Sequence, residues 1–186
     1  VCPSHVLPLT EPGAFREAVK AMLSPGGPFR IQLRMDPALW SWLWSFSRRC
    51  NHRSMLKAAP AIQAMLNSAM KEYEQLVHEP GIACEWQKKG LLFTYLDKKK
   101  LDAYAATNAL LAERFNEPAR KLTATETVEL EPAIKPSVAG SWYYEHDAHL
   151  RPDKLISSMR AQLEARGVTF VENCEFQNVI GAGGKA

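Results

Sequence analysis

The chain has 186 residues, with 23 Lys and Arg against 20 Asp and Glu, and 46% of its residues are hydrophobic. That length and apolar share fit one globular domain with a sizeable core and exclude global disorder. A net charge of +3 is too small to point to a nucleic-acid partner, and no apolar run approaches the roughly 18 residues of a membrane span.

The opening Val1-Cys2-Pro3-Ser4-His5 shows no basic stretch followed by an apolar run, so it does not read as a signal peptide. Both that opening and the closing Gly183-Gly184-Lys185-Ala186 read as cut ends, and the expectation is a piece of a longer protein. Cysteines at 2, 50, 84 and 174 form no close pair, which fits reduced, mostly buried thiols in a reducing compartment.

Pro12-Gly13 opens a helical pattern through Leu23, with Phe15, Val19, Met22 and Leu23 on one face. The stretch from Ser24 to Pro28 breaks it, and residues 29–34 alternate apolar and basic as a short strand does. Asp36-Pro37 is a helix start, an acceptor at the N-cap followed by Pro at the first helical position. The helix it opens carries Trp40, Trp42, Leu43, Trp44 and Phe46 and ends in Arg48, Arg49 and Arg53. Core burial is the simplest reading of those aromatics, docking on a partner or membrane the other. A long helical pattern runs from His52 to Val77, with Pro60 expected to kink or split it. Its methionines read as core, not as a metal site.

After the Glu79-Pro80-Gly81 turn, residues 82–87 and 91–96 read as a hairpin around Lys88-Lys89-Gly90. Asp97 caps a single helix to Phe115, and 125–131 forms a short helix stopped by Pro132. Residues 139–145 read as a strand, and Arg151-Pro152-Asp153 opens a helix to Arg166, with Gly167 as its left-handed stop. Residues 168–173 and 176–180 read as further strands. Residues 1–80 are thus mainly helical and 81–186 mix a hairpin, helices and strands, all in one domain of the α+β class.

Four motifs invite chemistry. Glu145, His146, Asp147 and His149 cluster after a strand, but their spacing matches no well-defined metal motif, and no metal site is expected. His146 or His149 has the titration range for acid–base work. Residues 179–186 imitate a strand followed by GxGxxA, yet no helix follows to hold a pyrophosphate, so a Gly-rich turn is the reading. The aromatic helix is the third. Ser4 beside His5 is the fourth, and adjacency alone makes no catalytic pair.

Several segments together resemble the D-amino-acid dehydrogenase branch of the FAD-dependent amino-acid oxidoreductases. They are the opening Pro3, Pro8 and Pro12-Gly13, the segment from Pro28 to Leu33 leading to Asp36-Pro37 and the Trp helix, Gly90-Leu91-Leu92, Leu130-Glu131-Pro132, and the stretch from Gly140 to Val171. The family order is kept along nearly the whole chain. The family's GxGxxG strand–turn–helix would precede Val1, and its second FAD segment, with the Arg and Tyr that hold the substrate carboxylate, would follow Ala186.

The resemblance implies the substrate-side part of such an enzyme, a mixed or antiparallel sheet with several helices and no Rossmann fingerprint. It implies FAD as cofactor and oxidative deamination of a D-amino acid by hydride transfer to the flavin, with the piece inactive alone. Pro3, Ser4 and His5 would lie beside the flavin, and Tyr144, His146 and His149 would line the substrate pocket, with Tyr143 on the same strand. No catalytic acid or base is assigned, because positioning dominates this chemistry. Expected partners are a small amino-acid substrate and the missing flavin-binding domain or a second copy, which would leave an apolar patch exposed around Trp40–Phe46. A cytoplasmic place, peripheral to the inner membrane face, follows from the family. A glycine- or sarcosine-oxidase-like relative and a non-enzymatic partner-binding module are the alternatives.

Overall fold

The computed structural model describes residues 1–23 and 35–178. Within them the order is α1 (Ala14–Leu23), α2 (Pro37–Arg49), α3 (His52–Leu76), β1 (Leu91–Tyr95), α4 (Lys98–Ala103), α5 (Ala105–Phe115), β2 (Arg120–Leu122), α6 (Ala124–Leu130), β3 (Gly140–Tyr144) and α7 (Pro152–Ala165). The α+β expectation holds, and the sheet is wholly antiparallel, in the order β1-β3-β2. Strand expectations at 29–34 and 179–180, and the Gly-rich end, lie outside the described residues.

Local chemistry sets the helix ends. Asp36 Oδ1 accepts from the amides of Ala38 at 2.9 Å and Leu39 at 3.4 Å, with Pro37 at the first position of α2. Thr123 and Glu126 exchange side-chain and backbone bonds as a full capping box at the start of α6. At the end of α7, Gly167 takes φ +86°. Its amide bonds Glu164 O at 2.9 Å and that of Val168 bonds Leu163 O at 3.0 Å, the two closures of a Schellman stop.

Several expectations are corrected. Pro60 does not split α3: Leu56 and Ala59 are held in the core before it, and Gln63 Nε2 donates to Phe115 O at 2.5 Å after it. The single helix expected from Asp97 to Phe115 is two, meeting at Tyr104, whose hydroxyl is tied to Tyr144. Residues 82–87 are not a hairpin strand. Glu85 sits at φ +53°, which breaks an extended run, and the segment touches strand structure only at the Gln87–His149 bridge. β1 pairs instead with β3, Leu91 opposite Tyr144 and Phe93 opposite Trp142. Residues 168–173 and the described part of 176–180 form no strand, since no described strand runs beside them to take their backbone groups. β2, only three residues long, escaped the sequence reading.

Register puts Phe93, Tyr95, Trp142 and Tyr144 on one face of the sheet. Tyr104 tilts against Phe93 and Trp142, and Trp142 Nε1 donates to Leu101 O at 2.9 Å, which seats α4 and α5 on that face. Val6, Ala59, Leu111, Phe115 and Tyr144 form the buried core there. On the other face Thr127 Oγ1 meets Ser141 Oγ at 2.8 Å, locking α6 to β3. α2 behaves differently. None of its residues is buried, so core burial of its aromatics is overturned.

Candidate functional site

The loop that follows β3 is stitched down on both sides. His149 exchanges backbone bonds with Gln87, at 2.9 and 3.0 Å, and Arg151 N donates to Cys84 O at 2.8 Å. Gly90, at φ +75°, turns its amide onto Asp147 O at 2.9 Å. A Cβ at Gly90 would lie 2.4 Å from the Tyr143 ring, so only glycine lets the chain pass this close.

Against this loop lies the N-terminal segment, more than 140 residues away in sequence. Val1 N donates to Ala148 O at 2.7 Å, and Ala148 N returns a bond to Val1 O at 2.9 Å. At the centre is Asp147, 1% exposed. Its Oδ1 accepts the Ser4 amide at 3.1 Å and its Oδ2 accepts the Ser4 hydroxyl at 2.6 Å. A buried carboxylate is costly unless hydrogen-bonded, and here both oxygens are served by one residue. Pro3 and Ser4 are buried, while His5 is exposed with its ring edge-on to Phe93, centroids 5.6 Å apart.

Two groups of expected site residues therefore meet. Pro3, Ser4 and His5 lie against the loop that carries His146 and His149, both of which are exposed. Tyr144 is deeper. It is 2% exposed, its ring meets Phe93 edge-on, and its hydroxyl shares a hydrogen bond with that of Tyr104 at 2.9 Å. Burial pushes both phenols up from their ordinary range. Tyr143 lies on the opposite face, donating to Lys89 O at 2.9 Å.

Asp147, weighed from sequence only as one of four possible ligands, carries the junction, and Glu117 was missed. Glu117 is half-buried, and its carboxyl is pushed up by burial first and then by Asp147, against the lowering influence of His146. Its only sequence signal is its place just after the helix-ending Asn116.

One trio of ligand-type side chains lies close: Cys2, His5 and Asp147 offer atoms within 4.8 Å of one another. Burial and then the Asp147 charge push the Cys2 thiol up, toward its neutral form, and both Asp147 oxygens already serve Ser4. The trio is thus built as a hydrogen-bonded junction. Of the four residues weighed as ligands from sequence, only Asp147 belongs to it; Glu145 pairs with Arg120 at 3.5 Å.

The arrangement orders two loops and leaves three imidazoles exposed beside them, a geometry for orienting a ligand. The family is now identifiable. The chain belongs to the DAO family, FAD dependent oxidoreductases, whose model matches residues 27–186. It is 25% identical over 169 residues to a D-amino acid dehydrogenase of Helicobacter pylori, covering 90% of this chain and 40% of that protein. A D-amino acid dehydrogenase of Paramagnetospirillum magneticum is 26% identical over 189 residues, covering 98% of this chain and 44% of that protein. The chain thus spans less than half the length of these relatives. Glycine oxidase from Geobacillus kaustophilus is similar in structure, with a TM-score of 0.43 and 22% identity over 52% of this chain and 26% of that one.

The dinucleotide half of FAD does not fit the described residues. All their strand pairs are antiparallel, so they contain no parallel βαβ unit whose helix N-terminus would take a pyrophosphate.

Proposed function

We propose that this chain is the substrate-side part of an FAD-dependent D-amino-acid dehydrogenase, which deaminates a D-amino acid oxidatively. FAD would accept the hydride from the substrate α-carbon. The chain's own contribution is orientation. Pro3, Ser4 and His5 would stand beside the flavin, held by Asp147, while His146 and His149 would border the substrate with Tyr144 buttressing the sheet behind them. No residue is given a proton-transfer role. The described residues offer the pyrophosphate no cradle, which supports a longer polypeptide as the FAD-binding form. Among the described residues no helix is long and apolar enough to cross a membrane. A cytoplasmic place, peripheral to the inner membrane face, completes the reading.

The observation that carries this proposal is the meeting of residues 1–5 with the 145–149 loop on one buried carboxylate, in a chain of this family. The test is a visible absorption spectrum. The isolated chain titrated with FAD should show no bound flavin. The longer polypeptide that the proposal requires should show a flavin spectrum that bleaches anaerobically with D-alanine and not with L-alanine. Bleaching by the isolated chain, or by L-alanine only, overturns the reading.

A further inference from the structure

Cys2, Pro3, Ser4 and His5 form a tight turn, closed by a bond from the His5 amide to Cys2 O at 3.1 Å. Pro3 supplies the φ that the second position of such a turn requires. The turn brings residues 2 and 5 together at its base, and both side chains reach Asp147. Cys2, His5 and Asp147 each offer one ligand-type atom, and these atoms lie within 4.8 Å of one another. No window of the sequence contains this set, because Asp147 stands 143 residues beyond Ser4.

As a hydrogen-bonded junction the trio already holds its donors in place. The Ser4 amide and hydroxyl bond one oxygen each of Asp147. A carboxylate has about four lone-pair sites, so these two bonds leave each oxygen a further acceptor position. Ser4 is uncharged, and among the described residues the 1% exposed Asp147 has no ion-pair partner. His5 is exposed, with its ring edge-on to Phe93, and among the described residues no hydrogen bond takes its ring nitrogens. Cys2 is half-buried, so an ion has a way in past His5.

We propose that this junction is a site for a zinc-class divalent cation, which clips residues 1–5 to the 145–149 loop. Thiolate, imidazole and carboxylate are donors that zinc takes, whereas calcium and magnesium take oxygen ligands. Tetrahedral bonds of about 2.0–2.3 Å set ligand atoms about 3.3–3.6 Å apart, so the trio closes by roughly an ångström on the ion. Three protein donors leave the fourth position to water. On binding, the Cys2 thiol becomes a thiolate and its proton passes to solvent. The dication offsets the Asp147 charge that otherwise favours the neutral thiol. Ser4 touches no ion and acts by orienting the carboxylate. The inference does not rest on the flavin reading, because every protein donor belongs to this chain.

The test is titration of the full chain, with its thiols reduced, by zinc chloride and by cobalt chloride as a spectroscopic probe. One ion per chain should bind. Cobalt should give a thiolate-to-metal charge-transfer band in the near ultraviolet and the intense visible bands of tetrahedral coordination. Zinc at about a hundredfold excess over its dissociation constant should raise the melting temperature by about 5–11 °C. Calcium or magnesium should leave it unchanged. Cys2→Ser should remove the charge-transfer band and His5→Gln should abolish tight zinc binding, with circular dichroism showing both variants folded. Ser4→Ala should weaken zinc binding by about tenfold to a hundredfold, the usual effect of losing a partner that orients a ligand. Absence of zinc binding overturns the site. So does zinc binding untouched by both Cys2→Ser and His5→Gln, which assigns the ion to other donors, and so does an equal response to calcium.

Discussion

Removing the Asp147 carboxylate should loosen the whole N-terminal segment. Asp147→Ala deletes two hydrogen bonds, from the Ser4 amide at 3.1 Å and the Ser4 hydroxyl at 2.6 Å, at a site 1% exposed. Bonds to a charged group contribute about 1.5–3 kcal/mol each, but deletion also relieves the cost of burying the carboxylate, so the net loss is about 2–4 kcal/mol. In a chain of this size that lowers the melting temperature by about 6–12 °C. Ser4→Ala removes the hydroxyl bond only and should cost about 1–2 kcal/mol. The two changes together should cost less than their sum by about 1–2 kcal/mol, because they share that bond. Hydrogen exchange separates the two bonds. The amide of residue 4 should lose protection in Asp147→Ala and keep it in Ser4→Ala, where it still donates to Oδ1. Additive losses, or an Asp147→Ala chain as stable as the parent, would refute the junction.

Two further outcomes follow from the same region. Gly90→Ala places a Cβ 2.4 Å from the Tyr143 ring and 2.6 Å from Tyr144 O at φ +75°, so it should cost about 3 kcal/mol, measured by chemical unfolding; a neutral result would mean the turn relaxes freely. Glu117 has its carboxyl pushed up, by burial first and then by Asp147. A raised folded value means that its contribution is complete below the ordinary value near 4.5 and is lost as pH rises through the folded one. Glu117→Gln should therefore stabilise the chain at pH 7 and lose that advantage near pH 4; the opposite trend in melting temperature would show that the ionised form is the favoured one.

The elements that were legible carry their signals within a few residues. The cap at Asp36-Pro37, the Thr123–Glu126 box and the Gly167 stop are local chemistry, and each helix end stands where that chemistry puts it. Strand pairing is not local. Residues 82–87 read as a strand, and a glycine-containing loop joins them to 91–96, yet the partner of β1 is β3, about fifty residues on. What decides this is the Phe93, Tyr104, Trp142 and Tyr144 packing, which no short window contains. The same limit applies to α2. An amphipathic aromatic helix has one pattern whether it faces a core or a lipid surface, and only the positions of the other elements separate the two.

The candidate site was half legible for a related reason. His146 and His149 stand out because imidazoles titrate near neutrality, and Ser4 and His5 because they suggest a nucleophile and a base. In the fold, the group that meets Ser4 is Asp147, and a buried carboxylate finds its donors wherever the chain passes. That pairing bears on chemistry. The Ser4 hydroxyl donates to Asp147 and is engaged as a structural donor, while the carboxylate, 1% exposed, accepts both Ser4 bonds. Among the described residues, His5, His146 and His149 are exposed and make no hydrogen bond through a ring nitrogen. With the acid and the hydroxyl holding two loops together, the exposed imidazoles are the polar groups left beside them, which suits the orienting role proposed for this loop.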